Sequence, residues 1–234
     1  DPLIPLYYWR LFKVQQAAVR NTDRLLANSE FTREQFEAEF HMQAPVVHLG
    51  VDSAGFYPLP ELKRENHVLS VGELSPRKGF DFLVESLALV PVDRRPVLRL
   101  ACNNQIAEER MYIENLAKQR GVALEVRSNL SREQLLREYN RAMLCVYSPV
   151  QEPFGLVPLE AMACGAAVLG VAEGGVNESI IDGVTGRLTP RDPHKFAEAL
   201  MDLLENPDEC ARLGKNGREA VTPCLRPGAL VGAV

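Results

Sequence analysis

The sequence predicts an α/β fold built on a parallel sheet that is wound on both sides, and three observations carry that prediction. Short apolar runs of strand length recur between residues 67 and 171, amphipathic helical stretches separate them, and two proline-marked helix starts close the series. Strands that alternate with helices must run parallel, because each helix returns the chain to the same edge. Both faces of such a sheet end up covered.

Taken in order, residues 6–20 read as one aromatic-rich helix. A short strand follows at 24–28, then a helix at 32–40 with Thr32 and Gln35 as its capping box, then a strand at 46–49. These pieces make about one and a half strand–helix units, too little to close a domain of typical size. Residues 50–65, rich in proline and glycine, read as a linker. Strands are then expected at 67–71, 97–102, 122–126, 143–147 and 166–171. Helices are expected at 81–90, 107–120, 131–140 and 156–164, the third opened by a capping box of Ser131 and Gln134. Asp192-Pro193 and Asn206-Pro207 each set a cap residue before a proline, so two more helices should begin there. Residues 222–234 show no periodicity and are expected to form a loose tail. The domain reading is therefore 1–49, a partial first domain; 50–65, a linker; 66–221, the α/β domain; and 222–234, the tail.

The 234 residues are 46% hydrophobic and 24% charged, as in a globular protein of one large or two small domains. The net charge of −5 offers no broad basic surface for nucleic acid, so a bound anion would need a local cluster of cations. No apolar run reaches the length of a membrane span, and the opening Asp-Pro-Leu-Ile-Pro does not read as a signal peptide. The five cysteines at 102, 145, 164, 210 and 224 are scattered without a C-x-x-C pair. They indicate neither zinc nor a disulfide framework, and they fit a reduced, cytoplasmic protein.

Chemistry concentrates at residues 152–165, Glu-Pro-Phe-Gly-Leu-Val-Pro-Leu-Glu-Ala-Met-Ala-Cys-Gly. A helix starting near Leu156 points its free main-chain N–H groups at the Phe154-Gly155 turn, which makes an anion site. Glu152 lies before the turn and Glu160 about one helical turn inside. A ligand with a phosphate in the middle and hydroxyl-rich groups at both ends, such as a nucleotide sugar, suits that arrangement. The spacing alone is weak evidence, since two glutamates this far apart are common by chance. The turn follows a strand, as does the segment 72–79, so both should lie at the carboxyl edge of the sheet where such folds bind ligands.

The surrounding words add specificity. The 152–165 segment resembles the signature of retaining glycosyltransferases of family 4, which have the GT-B architecture. Residues 68–81, Val-Leu-Ser-Val-Gly-Glu-Leu-Ser-Pro-Arg-Lys-Gly-Phe-Asp, look like the family's diphosphate-binding segment. Gly-Gly-Val-Asn-Glu-Ser-Ile-Ile-Asp-Gly-Val-Thr-Gly at 174–186, Ala-Asn-Ser-Glu-Phe-Thr at 27–32, and Leu-Gly-Val-Asp at 49–52 are similar to its other recurring stretches. The match runs in consistent order from about residue 20 to 220. It implies a Rossmann-like C-terminal domain that binds the donor, and only the end of an N-terminal acceptor domain. The family's glycine-rich acceptor loop and active-site histidine would lie upstream of residue 1. None of His41, His48, His67 and His194 stands in the matching position, so the chain reads as a fragment.

By this resemblance Glu152, Lys78 and Arg77 are the catalytic residues. Glu152 contacts the transferred sugar, and the basic pair holds the donor diphosphate and stabilises it as it leaves, without a metal. Glu160 accepts from the ribose hydroxyls. Phe154, Gly155 and Leu156 present main-chain N–H groups, and Gly72, Gly174 and Gly175 allow close approach of the ligand. Asn129 and Leu130 border the base. Each residue also has a plainer reading: a solvated helix glutamate, a loop carboxylate on a helix dipole, a buried turn anchor, a basic turn, a Gly-Gly turn. Glu178 is ranked first as a cap for its own short helix. Glu73 departs from the family, which usually has arginine there; a carboxylate beside a diphosphate is repulsive.

The expected activity is transfer of a sugar, with retention, from a nucleotide diphosphate sugar to an acceptor hydroxyl. No cofactor is required, and the donor is ranked UDP-sugar first and GDP-sugar second. Partners would be the nucleotide sugar, an acceptor sugar, lipid or other hydroxyl compound, and a missing domain or partner chain; nucleic acid is not expected. The expected setting is cytoplasmic, with peripheral contact at the inner membrane face left open. The alternatives are a non-catalytic nucleotide-sugar-binding module that needs a partner chain, and a GT-B sugar-nucleotide epimerase.

Overall fold

The computed structural model describes residues 3–103 and 106–222, so of the tail expected at 222–234 all but Thr222 lies outside the described residues. Helices α1 (Leu3–Arg20) and α2 (Glu30–Phe40) come first. Strand β1 (Glu65–Val71) leads through a 3-10 turn at Pro76–Lys78 into α3 (Phe80–Ala88). Then follow β2 (Val97–Cys102), α4 (Ala107–Arg120), β3 (Leu124–Ser128), α5 (Arg132–Arg141) and β4 (Ala142–Tyr147). The series ends with α6 (Leu156–Ala163), β5 (Val168–Val171), the short α7 (Val176–Ser179), β6 (Arg187–Thr189), α8 (Pro193–Glu205) and α9 (Pro207–Val221).

The six strands form one sheet in the order β3-β2-β1-β4-β5-β6, and every pairing is parallel. Successive strand residues point to opposite faces, and the two faces carry separate cores. Val68, Leu98, Leu100, Leu144, Val146 and Leu169 pack with α3, α4 and α8 on one side. Leu69, Ala101, Cys145, Tyr147 and Val168 pack with α5 and α6 on the other. Each fully buried leucine contributes about 1.5–3 kcal/mol through removal from water. A buried charge lies within the sheet. Arg99 on β2 is buried and donates to Glu138 at 2.9 Å and Glu125 at 3.0 Å.

The segment before β1 is fastened to the domain. Val51 and Phe56 are buried, and Phe56 meets Tyr139 edge-on with ring centroids 5.7 Å apart. The Asn140 side chain accepts from the Leu59 N–H and donates to the Tyr57 carbonyl. Arg64 donates to the carbonyls of Tyr139 and Ala142. By contrast α1 is thinly held. Phe12 stacks on Phe40 of α2, while Tyr7, Tyr8 and Trp9 are 63%, 62% and 57% exposed. No helix among the described residues is long and apolar enough to cross a membrane.

Several expectations need correction. The strands expected at 24–28 and 46–49 reduce to one parallel bridge between Ala27 and Val46, because no neighbouring residues extend the pairing. Helix α2 starts at Glu30, not Thr32. Its cap is Ser29, whose side chain accepts from the Thr32 N–H, so Thr32 and Gln35 are not a capping box. The third core strand is displaced two residues, to Leu124–Ser128, in register with Leu98–Cys102. The capping box of Ser131 and Gln134 is present, and Asp192 and Asn206 cap α8 and α9. The three-residue β6 is too short to leave a pattern in the sequence.

Candidate functional site

The chain builds β1, β2 and β3 outward in one direction and then returns to lay β4 on the other side of β1. The loops leaving β1 and β4 therefore diverge and open a crevice at the carboxyl edge of the sheet, which is where such folds take ligands. Gly72 to Gly79 leave β1, and Ser148 to Gly155 leave β4. Main-chain contacts join these loops. The Val150 N–H donates to the Arg77 carbonyl at 2.8 Å, and the Ser148 hydroxyl donates to the Gly79 carbonyl at 2.8 Å. Gly79 has a φ of +64°, and a Cβ there would lie 2.2 Å from the Ser148 carbonyl oxygen, so no side chain fits.

An ion pair spans the crevice. Lys78 Nζ lies 2.8 Å from Glu152 Oε2, with side chains 25% and 19% exposed. Gly72 sits under the lysine stem; a Cβ there would touch the Lys78 methylenes at 3.4 Å. Burial pushes the Tyr147 hydroxyl up, and the charge of Glu152 beside it pushes in the same direction. Arg77 is exposed, and its guanidinium makes no ion pair among the described residues; its carbonyl is what joins the loops.

Helix α6 rises from the turn. Its N-cap is Gly155, at a φ of 97°, and no side chain caps it, so the first N–H groups face the crevice beside Glu152. Phe154 is buried and stacks on His48, with ring centroids 5.4 Å apart. Behind the turn lies the loop after β5. The Gly175 N–H donates to the Glu152 carbonyl at 2.8 Å. A Cβ on Gly174 would come within 2.6 Å of that carbonyl oxygen, and one on Gly175 within 2.2 Å of the Pro153 oxygen.

Glu160 lies one turn inside α6, where the buried hydroxyl of Tyr139 donates to its Oε2 at 2.7 Å. It is not a solvent-facing helix residue. Burial raises its carboxyl above the usual range, against the opposing pull of that hydroxyl and of Arg132. A cavity of about 180 Å³ opens beside the crevice, between the ends of β1 and β2, with Gly72, Glu73, Asn103, Leu130 and Leu135 in its lining. Glu73 is exposed there and makes no ion pair among the described residues. A larger cavity of about 840 Å³ lies at the opposite edge, against α8 and α9. Its Arg64 and Arg218 donate to main-chain carbonyls. Among the described residues no group of three His, Cys, Asp or Glu could hold a metal, and Cys102, Cys145, Cys164 and Cys210 form no disulfide. Burial pushes the Cys102 thiol up to about 12, far from a nucleophile's range.

The structure thus gathers Gly72, Lys78, Glu152, Phe154, Gly155, Leu156, Gly174 and Gly175 around three loops and one helix start, with Glu160 one turn deeper. Arg77 stands at the rim. Glu178 departs from its first-ranked reading. It does not cap α7 but accepts from the N–H groups of Glu30 and Phe31, at the start of α2. Sequence reasoning missed Tyr139, Ser148, Ser29 and His48. Ser29 left a signal, since it lies inside the 27–32 stretch and precedes a helix as a good cap.

A model of the family described as Glycosyl transferases group 1 matches residues 57–220. The D-inositol 3-phosphate glycosyltransferase of Mycobacterium sp. (strain JLS) is 34% identical over 206 residues, which cover 81% of this chain and 46% of that protein. Among solved structures, sucrose-phosphate synthase from Thermosynechococcus elongatus superposes with a TM-score of 0.80 at 30% identity, over 90% of this chain and 56% of that one. Anabaena HepE, solved in complex with UDP-glucose, gives a TM-score of 0.80 at 20% identity, a likeness of fold, over 90% of this chain and 62% of that one. The chain spans about half the length of the curated relatives it matches.

Proposed function

The chain belongs to the glycosyl transferases group 1 family, and from that premise we propose that it carries the donor-binding half of a retaining glycosyltransferase of family 4. The donor is a nucleotide diphosphate sugar, with UDP-sugar first and GDP-sugar second. The observation that carries this reading is the Lys78–Glu152 ion pair standing in front of the uncapped start of α6, at the strand-order reversal of the sheet. A lysine and a helix start together suit a diphosphate. The carboxylate beside them suits the sugar hydroxyls, and HepE offers a fold relative that holds UDP-glucose.

In this reaction the bond between the anomeric carbon and the diphosphate oxygen breaks, and the diphosphate leaves with the electron pair. The acceptor oxygen attacks the same face, and its proton passes to the departing phosphate oxygen. Lys78, Arg77 at the rim and the start of α6 stabilise the departing charge. Glu152 orients the sugar and supports the positive charge that develops on it. Glu160 accepts from the ribose hydroxyls with the oxygen that Tyr139 leaves open. Phe154, Gly155 and Leu156 present N–H groups, and Gly72, Gly174 and Gly175 keep the approaches clear. In the same reading residues 66–221 form the donor domain, 1–49 the end of an acceptor domain and 50–65 the connection. The compartment is the cytoplasm.

Titration with UDP, GDP and ADP by calorimetry tests the reading. One nucleotide should bind saturably, and Glu160→Ala should weaken it by about 1.5–3 kcal/mol, the worth of hydrogen bonds to a charged group. Failure of all three to bind the folded wild-type chain would refute it. A second reading, a nucleotide-sugar module active only with a partner chain, is favoured by the exposed aromatic residues Tyr7, Tyr8 and Trp9 of α1. It predicts the same titration and no transfer by the chain alone.

A further inference from the structure

The short helix α7 follows Gly174 and Gly175 directly, and its Glu178 reaches across to residues far earlier in the chain. Oε2 accepts from the Glu30 N–H at 2.8 Å and Oε1 from the Phe31 N–H at 2.9 Å. His48 Nε2 lies 3.0 Å from Oε2. The two main-chain donors and His48 hold the carboxyl below its usual range even though burial works against them. Glu178 therefore closes the start of α2 from outside, while Ser29 caps it from within.

Both groups gathered at Glu178 continue onto the crevice turn. Ser29 is fully buried, and its hydroxyl donates to the Pro153 carbonyl at 2.5 Å. The His48 ring lies over Phe154, tilted by 20°. From the other side the Gly175 N–H holds the Glu152 carbonyl, and Gly174 and Gly175 leave no room for the turn to shift. The turn that carries Glu152 is thus gripped on two sides by segments that meet at one carboxylate. The Lys78 loop is anchored separately, through Val150 to Arg77 and Ser148 to Gly79.

We propose that Glu178 is a positioning residue of the donor site: by tying His48 and the start of α2, next to Ser29, to the loop after β5 it fixes the turn of residues 152–155, and so sets the affinity for the sugar portion of a nucleotide sugar. This rests on the donor-site reading above. Because the Lys78 loop has its own anchors at Val150 and Ser148, the nucleoside diphosphate portion loses less affinity than the sugar portion when the clamp is cut.

The test is calorimetry on the full chain with UDP, GDP and ADP, and with UDP-glucose, GDP-mannose and ADP-glucose, taking the pair the wild type binds. Glu178→Gln keeps the side chain's size and removes its charge. Ser29→Ala removes the hydroxyl on Pro153 and covers the case in which the first variant does not fold. In each folded variant the Kd for the nucleotide sugar should rise by about fivefold or more relative to the Kd for its nucleoside diphosphate. Equal weakening of both ligands would show a merely structural role, and an unchanged ratio would show no role; either overturns the proposal. If the wild type binds none of the six, the donor-site reading itself falls and takes this proposal with it.

Discussion

Replacing Glu152 with glutamine should tighten the binding of a bare nucleoside diphosphate, although Glu152 belongs to the proposed site. In the free chain Glu152 neutralises Lys78 across 2.8 Å. A phosphate oxygen taking another proton of the same ammonium would lie at most roughly 5.6 Å from Glu152, twice that distance. Two unit negative charges so placed repel by about 0.7 kcal/mol in water and about 3 kcal/mol at an effective dielectric of about 20. The pair is 25% and 19% exposed, so the answer falls between these limits. Removing the charge should therefore lower the Kd by between about threefold and about 150-fold. Calorimetry of Glu152→Gln and wild type with UDP, GDP and ADP measures this, and the difference should shrink as salt is raised to about 0.5 M. The matching nucleotide sugar should not share the gain, because it loses its contact to the carboxylate. A weaker or unchanged Kd for the nucleoside diphosphate in Glu152→Gln would refute the reasoning and remove Lys78 from the diphosphate site.

Two further outcomes follow from the same geometry. Glu160 has its carboxyl held above the ordinary value of 4.5 by burial, so its charge costs the fold stability as pH rises through the window above that value. Glu160→Gln, which can still accept from Tyr139, should melt higher than wild type at pH 7, by about 2–4 °C per kcal/mol of relief. The gap should close as pH falls to about 4. A lower melting temperature would mark the carboxylate as a net stabiliser. Gly175→Ala should cost about 1–3 kcal/mol in urea unfolding, because its Cβ would meet the Pro153 carbonyl at 2.2 Å. A cost below about 0.5 kcal/mol, the range of neutral surface changes, would show that the turn can move freely.

How much of this was legible in the sequence depended on which forces act locally. The alternation of strands and helices, the Ser131–Gln134 box and the proline-marked starts of α8 and α9 are set by neighbours a few residues apart, and all appear in the structure. The pieces at 24–28 and 46–49 had strand composition, but pairing needs a partner in register, and only Ala27 and Val46 meet. The start of helix α2 differs from the sequence reading because Thr32 and Gln35 have the right spacing, but Ser29, three residues earlier and itself a good cap, accepts from the Thr32 N–H. The glutamates of the 152–160 stretch were visible as types at a spacing. Their partners were not, since Tyr139 and Lys78 reach them only through the packing of the sheet. Glu178 shows the limit most clearly: a carboxylate beside a short helix invites a local cap, yet its donors sit at the other end of the chain.

The joining of the two crevice loops bears on how such a domain can be recombined. Residues 72–79 and 148–155 are separated in sequence by three strands and three helices, yet they fit each other through the Val150 N–H on the Arg77 carbonyl, the Ser148 hydroxyl on the Gly79 carbonyl, and the close approach of Gly79 to the Ser148 carbonyl. Grafting either loop alone from a relative would set a foreign backbone path against a partner with no slack, whatever its side chains. The two loops are thus a single heritable cassette written in two places. A chimera keeps this fit only when both loops come from one parent.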